Sequence, residues 1–218
     1  MALSPTSGMH LTAINLGRRE TIKLGSRLVD TGIDKRPVER ASVGVLGLEG
    51  DVVADKRNHG GPDQAVYLYG RADYDWWEAE LRRTLEPGTF GENLTVPELE
   101  ASERRPGDRL RVGSALLELT SPRIPCAVFA QRMGDRNWVK RFRAAERPGS
   151  YARVLEPGDV AQGDPVELVP LESGPTLLAH FRLHYDKKAP AEAIEWALAA
   201  PVSIRERSSL EKRLRTLR

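Results

Sequence analysis

The 218-residue sequence contains a single cysteine, Cys126. One thiol excludes an intrachain disulfide, a four-cysteine zinc site and an iron–sulfur cluster built on this chain's own thiolates. Three uses of the sulfur remain: ligand to one soft metal, nucleophile, or inert buried group. Long apolar runs are also missing. Nothing approaches 18 consecutive hydrophobic residues, so no membrane-spanning helix is expected. Met1 to Ser7 offers neither the basic start nor the apolar core of a secretory signal, so a cytoplasmic protein is expected. No G-x-G-x-x-G dinucleotide fingerprint is present. A strong overall charge is lacking too: the net value is +2, which by itself indicates no nucleic-acid or membrane partner. Residues 203–218 carry six Lys/Arg against two Asp/Glu, a local +4. That tail is either the solvated face of a helix or a docking surface.

What is present reads as many short strands with a few helices. Leu11–Leu16, Thr21–Leu24, Val43–Leu46 and Ala65–Tyr69 are expected strands, punctuated by Gly17, Gly25, Gly32 and Pro37. A helix is expected from Arg71 to Leu85, with Tyr74, Trp77 and Leu81 on one face and Pro87-Gly88 as its stop. Further strands are expected at Asn93–Val96, Arg109–Val112, Ala115–Leu119, Tyr151–Leu155 and Pro165–Val169. The Arg109 and Ala115 strands flank a two-residue turn, Gly113-Ser114. Cys126–Met133 and Asn137–Ala145 read as helices. The pattern implies a closed or nearly closed β-barrel, mainly β with inserted helices, over residues 1–170. Glu172-Ser173-Gly174-Pro175 is linker-like, and residues 171–218 then read as a small three-helix domain. Its last helix opens on a capping box, Ser203-Ile204-Arg205-Glu206. Fewer than 50 residues rarely fold alone, so this part is expected to pack on the barrel or on a partner.

Three stretches carry more chemistry than a turn requires. In Lys56-Arg57-Asn58-His59-Gly60-Gly61-Pro62-Asp63, two glycines let backbone N–H groups approach an anion beside an imidazole. The alternative is a tight loop with an exposed histidine. In Phe90-Gly91-Glu92-Asn93-Leu94, Asn93 offers donors and an acceptor to the edge of a heterocycle, or simply begins a strand. In Ser121-Pro122-Arg123-Ile124-Pro125-Cys126, two prolines fix the backbone around a cation and a thiol at a helix start. That setting favours the thiolate, the form that binds metals. A buried, inert thiol beside Ala127, Val128 and Phe129 is the other reading.

Taken together and in order, Thr31-Gly32-Ile33-Asp34-Lys35-Arg36-Pro37-Val38, His59-Gly60-Gly61, Gly91-Glu92-Asn93-Leu94 and Pro122-Arg123-Ile124-Pro125-Cys126 resemble the MOSC domain, closest to its YiiM-like branch. The resemblance spans roughly residues 10–217 and includes the C-terminal helices. It implies a mainly β, barrel-like fold and a molybdenum–pyranopterin cofactor with Cys126 as the metal ligand. Thr31, Lys35, Arg36, His59, Gly60, Gly61, Asn93 and Arg123 are then candidates for holding the cofactor and its phosphate. It further implies reduction of N-hydroxylated compounds, such as hydroxylamino purines, to amines. Cys126 and His59 would be the catalytic residues, with His59 a candidate proton donor. Electrons would come from an external flavin or iron–sulfur protein, and the +4 tail is one place for it to dock. No iron–sulfur cluster, pyridoxal phosphate or membrane is expected, and nucleic acid is disfavoured. A cofactor carrier or sulfur-handling protein is the alternative. Gln64 departs from the lysine common in the family, and Ala127-Val128 from an aromatic–lysine pair.

Overall fold

The computed structural model describes residues 8–57 and 59–217, and among them thirteen short strands form, the clearest where β-branched and aromatic residues gather between glycine and proline breaks. They begin with β1 (Ala13–Gly17), β2 (Glu20–Leu24), β3 (Arg27–Thr31), β4 (Lys35–Val38), β5 (Arg40–Gly44) and β6 (Gly47–Leu48). A 3-10 turn, Pro62–Gln64, leads into β7 (Val66–Gly70), α1 (Arg71–Leu81), β8 (Leu94–Val96), β9 (Arg109–Val112) and β10 (Ala115–Ser121). Then come α2 (Ala127–Met133), α3 (Trp138–Ala145), β11 (Ser150–Glu156), β12 (Gly158–Ala161) and β13 (Val166–Val169). Three helices finish the chain: α4 (Leu177–Tyr185), α5 (Ala191–Leu198) and α6 (Ile204–Leu217).

Eight strands form one mixed sheet in the order β13-β9-β10-β11-β7-β8-β1-β4, with β7 and β8 its parallel pair. Val112 lies opposite Ala115, so the expected Gly113-Ser114 hairpin forms. A second sheet joins β12, β5 and β6, and β2 pairs with β3 as a separate hairpin. The expected closed barrel is not seen among the described residues. β1 already has β8 on one edge and β4 on the other, so β13 cannot pair along it. The β13 segment reaches the β1 segment upstream of β1, through the His10–Pro165 bridge. Flanking it, the Leu11 N–H donates to the Asp164 carbonyl at 2.8 Å and the Val166 N–H to the Met9 carbonyl at 2.9 Å.

Two cores result. Ile14, Val66, Leu68, Leu94, Leu117 and Leu119 fill the interior of the sheet. An aromatic core of Tyr69, Tyr74, Trp77, Phe90, Trp138 and Phe142 lies where α1 and α3 cover it, with Tyr69 stacked on Phe90 at 4.4 Å. These rings are packing groups, not an exposed platform for bases.

Several elements differ from expectation for local reasons. α1 stops at Leu81 because Arg82 turns left-handed (φ 52°), and the Glu78 carboxylate accepts the Leu85 N–H. Val45 and Leu46 form the exposed turn between β5 and β6. α2 begins one residue late, with Cys126 as its N-cap. β4 was not expected because it contains Pro37, but it lies at the sheet edge, where a missing N–H is tolerated.

The C-terminal helices pack on the sheet body. Leu177 enters the sheet core, Phe181 enters the aromatic core, and Ile194, Ala197 and Leu210 make a small core of their own. The Ser203 hydroxyl accepts the Glu206 N–H at 3.3 Å, the first half of the expected capping box. Much of the tail's positive charge is used internally. Arg207 donates to the carbonyls of Leu198 and Ala200, and Arg213 to those of Leu183 and Asp186. Among the described residues, no helix is long and apolar enough to cross a membrane.

Candidate functional site

One cleft gathers most of the residues that the sequence singles out. Its walls include Thr31, Lys35, His59, Gly60, Asn93, Arg123 and Cys126, together with Asp51, Tyr67, Gln64 and Tyr151. Cys126 leaves the Pro122–Pro125 turn with extended backbone (φ −130°) at the start of α2, half-buried and with a free thiol. Among the described residues, no group of three or more His, Cys, Asp or Glu is arranged to hold a metal ion. A metal bound at Cys126 must therefore bring most of its ligands with it.

The cleft floor is organised by Asp51. Its carboxylate accepts from Lys35 Nζ at 2.5 and 2.6 Å, from the Gly17 N–H at 2.7 Å and from Asn93 Nδ2 at 2.8 Å. Lys35 and Asp51 side chains are only 8% and 5% exposed. Burial holds the Lys35 ammonium below its ordinary pKa, with Asp51 offsetting part of that shift. Asn93 spends its other side-chain atom as well, since its Oδ1 accepts the Tyr67 N–H at 3.1 Å. Two residues expected to face a ligand are thus largely committed to the fold. Arg36 is not in the cleft. It follows Lys35 in β4, so it points to the opposite face, where it is exposed and paired with Asp34.

Arg123 is the contrasting cation. It is 4% exposed, and one Nη donates to the Phe90 carbonyl. The guanidinium lies 4.1 Å from the Phe129 ring centroid and 4.9 Å from that of Tyr67. Among the described residues, no carboxylate pairs with it, and its buried Nε has no partner. Gly91 makes this placement possible: a Cβ there would lie 3.3 Å from an Arg123 Nη and 3.0 Å from the Ile33 side chain. A buried, uncompensated cation is costly unless an anion meets it.

The histidine loop is held from below. Gly60 and Gly61 are both left-handed (φ 67° and 85°), as the double glycine suggests. Gly60 lines the cleft; Gly61, Lys56 and Arg57 do not, and both basic side chains are exposed. Asn58 lies outside the described residues. Arg205, from the first turn of α6, donates to the carbonyls of Gly60, Lys56 and His59 and to Gln64 Oε1, at 2.5–3.3 Å. Gln64 therefore recruits a guanidinium where a lysine would have carried its own charge. Burial, followed by repulsion from Arg123, lowers the His59 pKa to about 4, and Arg205 adds to the effect. His59 is accordingly a neutral imidazole near pH 7, able to share a hydrogen bond but not to store an extra proton. Thr31 stays local, its hydroxyl accepting the Ile33 N–H at 3.1 Å.

The sequence did not reveal Asp51, Arg205, Tyr67 or Tyr151 as parts of this site. Asp51 follows Gly50 in no recognisable motif, and Arg205 arrives from about 145 residues away. The Tyr67 position was legible as strand but not as a wall facing Arg123.

Two outcomes test this geometry. Asp51→Ala leaves the Lys35 ammonium buried and unpaired, and chemical denaturation is expected to show a loss of about 3–5 kcal/mol. Adding Lys35→Met recovers part of it. An unchanged midpoint contradicts the hub. By NMR, His59 of the metal-free protein titrates near pH 4, and Arg205→Ala moves that midpoint up. Because the unfolded chain binds this proton at about pH 6.5 and the folded chain only near 4, the His59 contribution to stability is complete above 6.5 and is lost as pH falls toward 4.

Comparison with known proteins agrees with this architecture. The MOSC domain model matches residues 55–167. The chain is 36% identical over 204 residues to the uncharacterized protein YflK of Bacillus subtilis, covering 92% of each chain. It is 30% identical over 177 residues to a protein named Reductase from Gibberella moniliformis, covering 77% of this chain and 30% of that one. The crystal structure of YiiM from Geobacillus stearothermophilus superposes with a TM-score of 0.78 at 29% identity, over 95% of this chain and 100% of that one. The chain belongs to the MOSC domain family, whose domains are associated with binding of the molybdenum cofactor.

Proposed function

We propose that this protein is a molybdenum-cofactor-dependent oxidoreductase that reduces N-hydroxylated compounds, such as hydroxylamino purines, to amines. The observation that carries the reading is Arg123: a buried guanidinium that no carboxylate meets among the described residues, in the same cleft wall as the free Cys126 thiol. A soft thiolate ligand and an anion-seeking cation side by side suit a metal that arrives on an anionic, sulfur-rich carrier. The similarity to the Gibberella protein named Reductase supports a redox role.

When bound, the cofactor supplies the two-electron chemistry by which R–NHOH, two electrons and two protons become R–NH2 and water. Cys126 Sγ ligates the metal. Arg123 holds the anionic part of the ligand, and the unpartnered Nε is a donor still available for it. The Lys35–Asp51–Asn93 cluster keeps the floor rigid. His59, neutral at working pH, orients the N–O group by a hydrogen bond, so protons enter from solvent rather than from a stored imidazolium. Electrons are supplied by a separate flavin or iron–sulfur protein.

The test is one preparation made with cofactor synthesis active. Molybdenum is expected to co-purify with the wild-type chain and to support reduction of an N-hydroxylated purine with an artificial donor. Cys126→Ala and Arg123→Gln are each expected to lose both. Bound metal without turnover favours the carrier reading. Turnover unaffected by Cys126→Ala contradicts the proposed ligand.

A further inference from the structure

A second cleft lies between the sheet body and the C-terminal helices, and its chemistry differs from the first. The Ser121–Cys126 segment is the wall between them: Arg123 and Cys126 face the first, while Ser121, Pro122 and Ile124 face the second. Across from Ser121 stand His180 and Lys187 near α4, and Arg205, Glu206 and Arg213 of α6. Glu206 is the one carboxylate among the lining residues, and it is already engaged, since His180 Nδ1 lies 2.7 Å from its Oε1.

Two buried polar atoms in this cleft lack partners. The His180 side chain has no exposed surface, and its Nε2 makes no hydrogen bond. Ser121 is 3% exposed, and its Oγ is likewise unpartnered. Among the described residues, no carboxylate forms an ion pair with the nearby cations Lys187, Arg205 and Arg213. Lys187 Nζ donates to the His184 carbonyl, Arg213 to the carbonyls of Leu183 and Asp186, and Arg205 to carbonyls and the Gln64 amide. With Nδ1 engaged by Glu206, Nε2 is the ring atom of His180 left to meet a ligand. Cations beside a buried hydroxyl and an unpartnered ring nitrogen suit a small oxyanion that can both accept and donate hydrogen bonds. A singly protonated phosphate group meets both demands. Its oxygens suit Lys187 and Arg213, and Ser121 Oγ and His180 Nε2 can each meet an oxygen or the O–H.

We infer that this cleft is a second ligand site, separate from the Cys126 cleft, which binds the phosphate group of inorganic phosphate or of a small phosphate monoester. The test uses the full chain at pH 6.5, titrated with inorganic phosphate, glycerol 3-phosphate and sulfate, and read by calorimetry and by the His180 ring resonances. Saturable binding of either phosphate is expected, with sulfate, which has no proton to offer, about tenfold weaker. Lys187→Gln and Ser121→Ala, which leave the His180–Glu206 pair in place, are each expected to weaken binding about tenfold, and His180→Gln at least as much. Cys126→Ala is expected to leave it unchanged, which separates this site from loss of the cofactor cleft. No saturable binding, equal binding of sulfate, or binding indifferent to Lys187 and Ser121 would overturn the inference.

Discussion

The Asp51 carboxylate takes hydrogen bonds from β1 through the Gly17 N–H, from β4 through Lys35, and from the start of β8 through Asn93. That one buried acceptor determines which cleft groups remain free for a ligand. It neutralises Lys35 and occupies one Asn93 donor, while the Tyr67 N–H occupies that side chain's oxygen. Arg123, beyond its reach and set against the Tyr67 and Phe129 rings, is left as a cation that no carboxylate meets among the described residues. The positive potential of the cleft is therefore focused beside Cys126 rather than spread along the floor. Close backbone approaches support the arrangement. A Cβ on Gly17 would lie 2.1 Å from the Gly32 carbonyl oxygen, and one on Gly32 would lie 2.1 Å from that of Val52. Only glycine lets these three segments stack behind Asp51.

Much of the fold was legible because its signals are local. Alternating residues and a short glycine turn set β9 and β10, and helical spacing placed Tyr74 and Trp77 on the buried face of α1. Ser203 and Glu206 marked the start of α6. That the barrel does not close was not legible, because it depends on β4 rather than β13 taking the open edge of β1. β3, β4 and β12 were missed for want of a clean apolar alternation. Pro37, a strand breaker anywhere but at an edge, hid β4 in particular.

The site was legible in a different way. Four ordered motifs brought Cys126, Arg123, His59, Gly60 and Asn93 to one cleft, which no single motif could have justified. The same motif logic cannot see strand parity, so it grouped Arg36 with Lys35 although neighbours in a strand face opposite sides. Nor can it see partners from distant segments. Asp51 turned Lys35 from a ligand-binding cation into half of a buried pair, and Arg205 brought the C-terminal helices under the histidine loop. Those helices are thus part of the cleft's construction, and their basic residues serve the fold before any partner.

On the proposed function, Cys126 places a protein sulfur on a molybdenum centre held in this cleft. Molybdenum K-edge X-ray absorption tests it most directly, comparing the loaded wild-type chain with Cys126→Ser loaded under the same anaerobic conditions. The account predicts one sulfur neighbour fewer in the variant, or loss of the metal altogether. Identical sulfur coordination at full metal occupancy in both chains would contradict it.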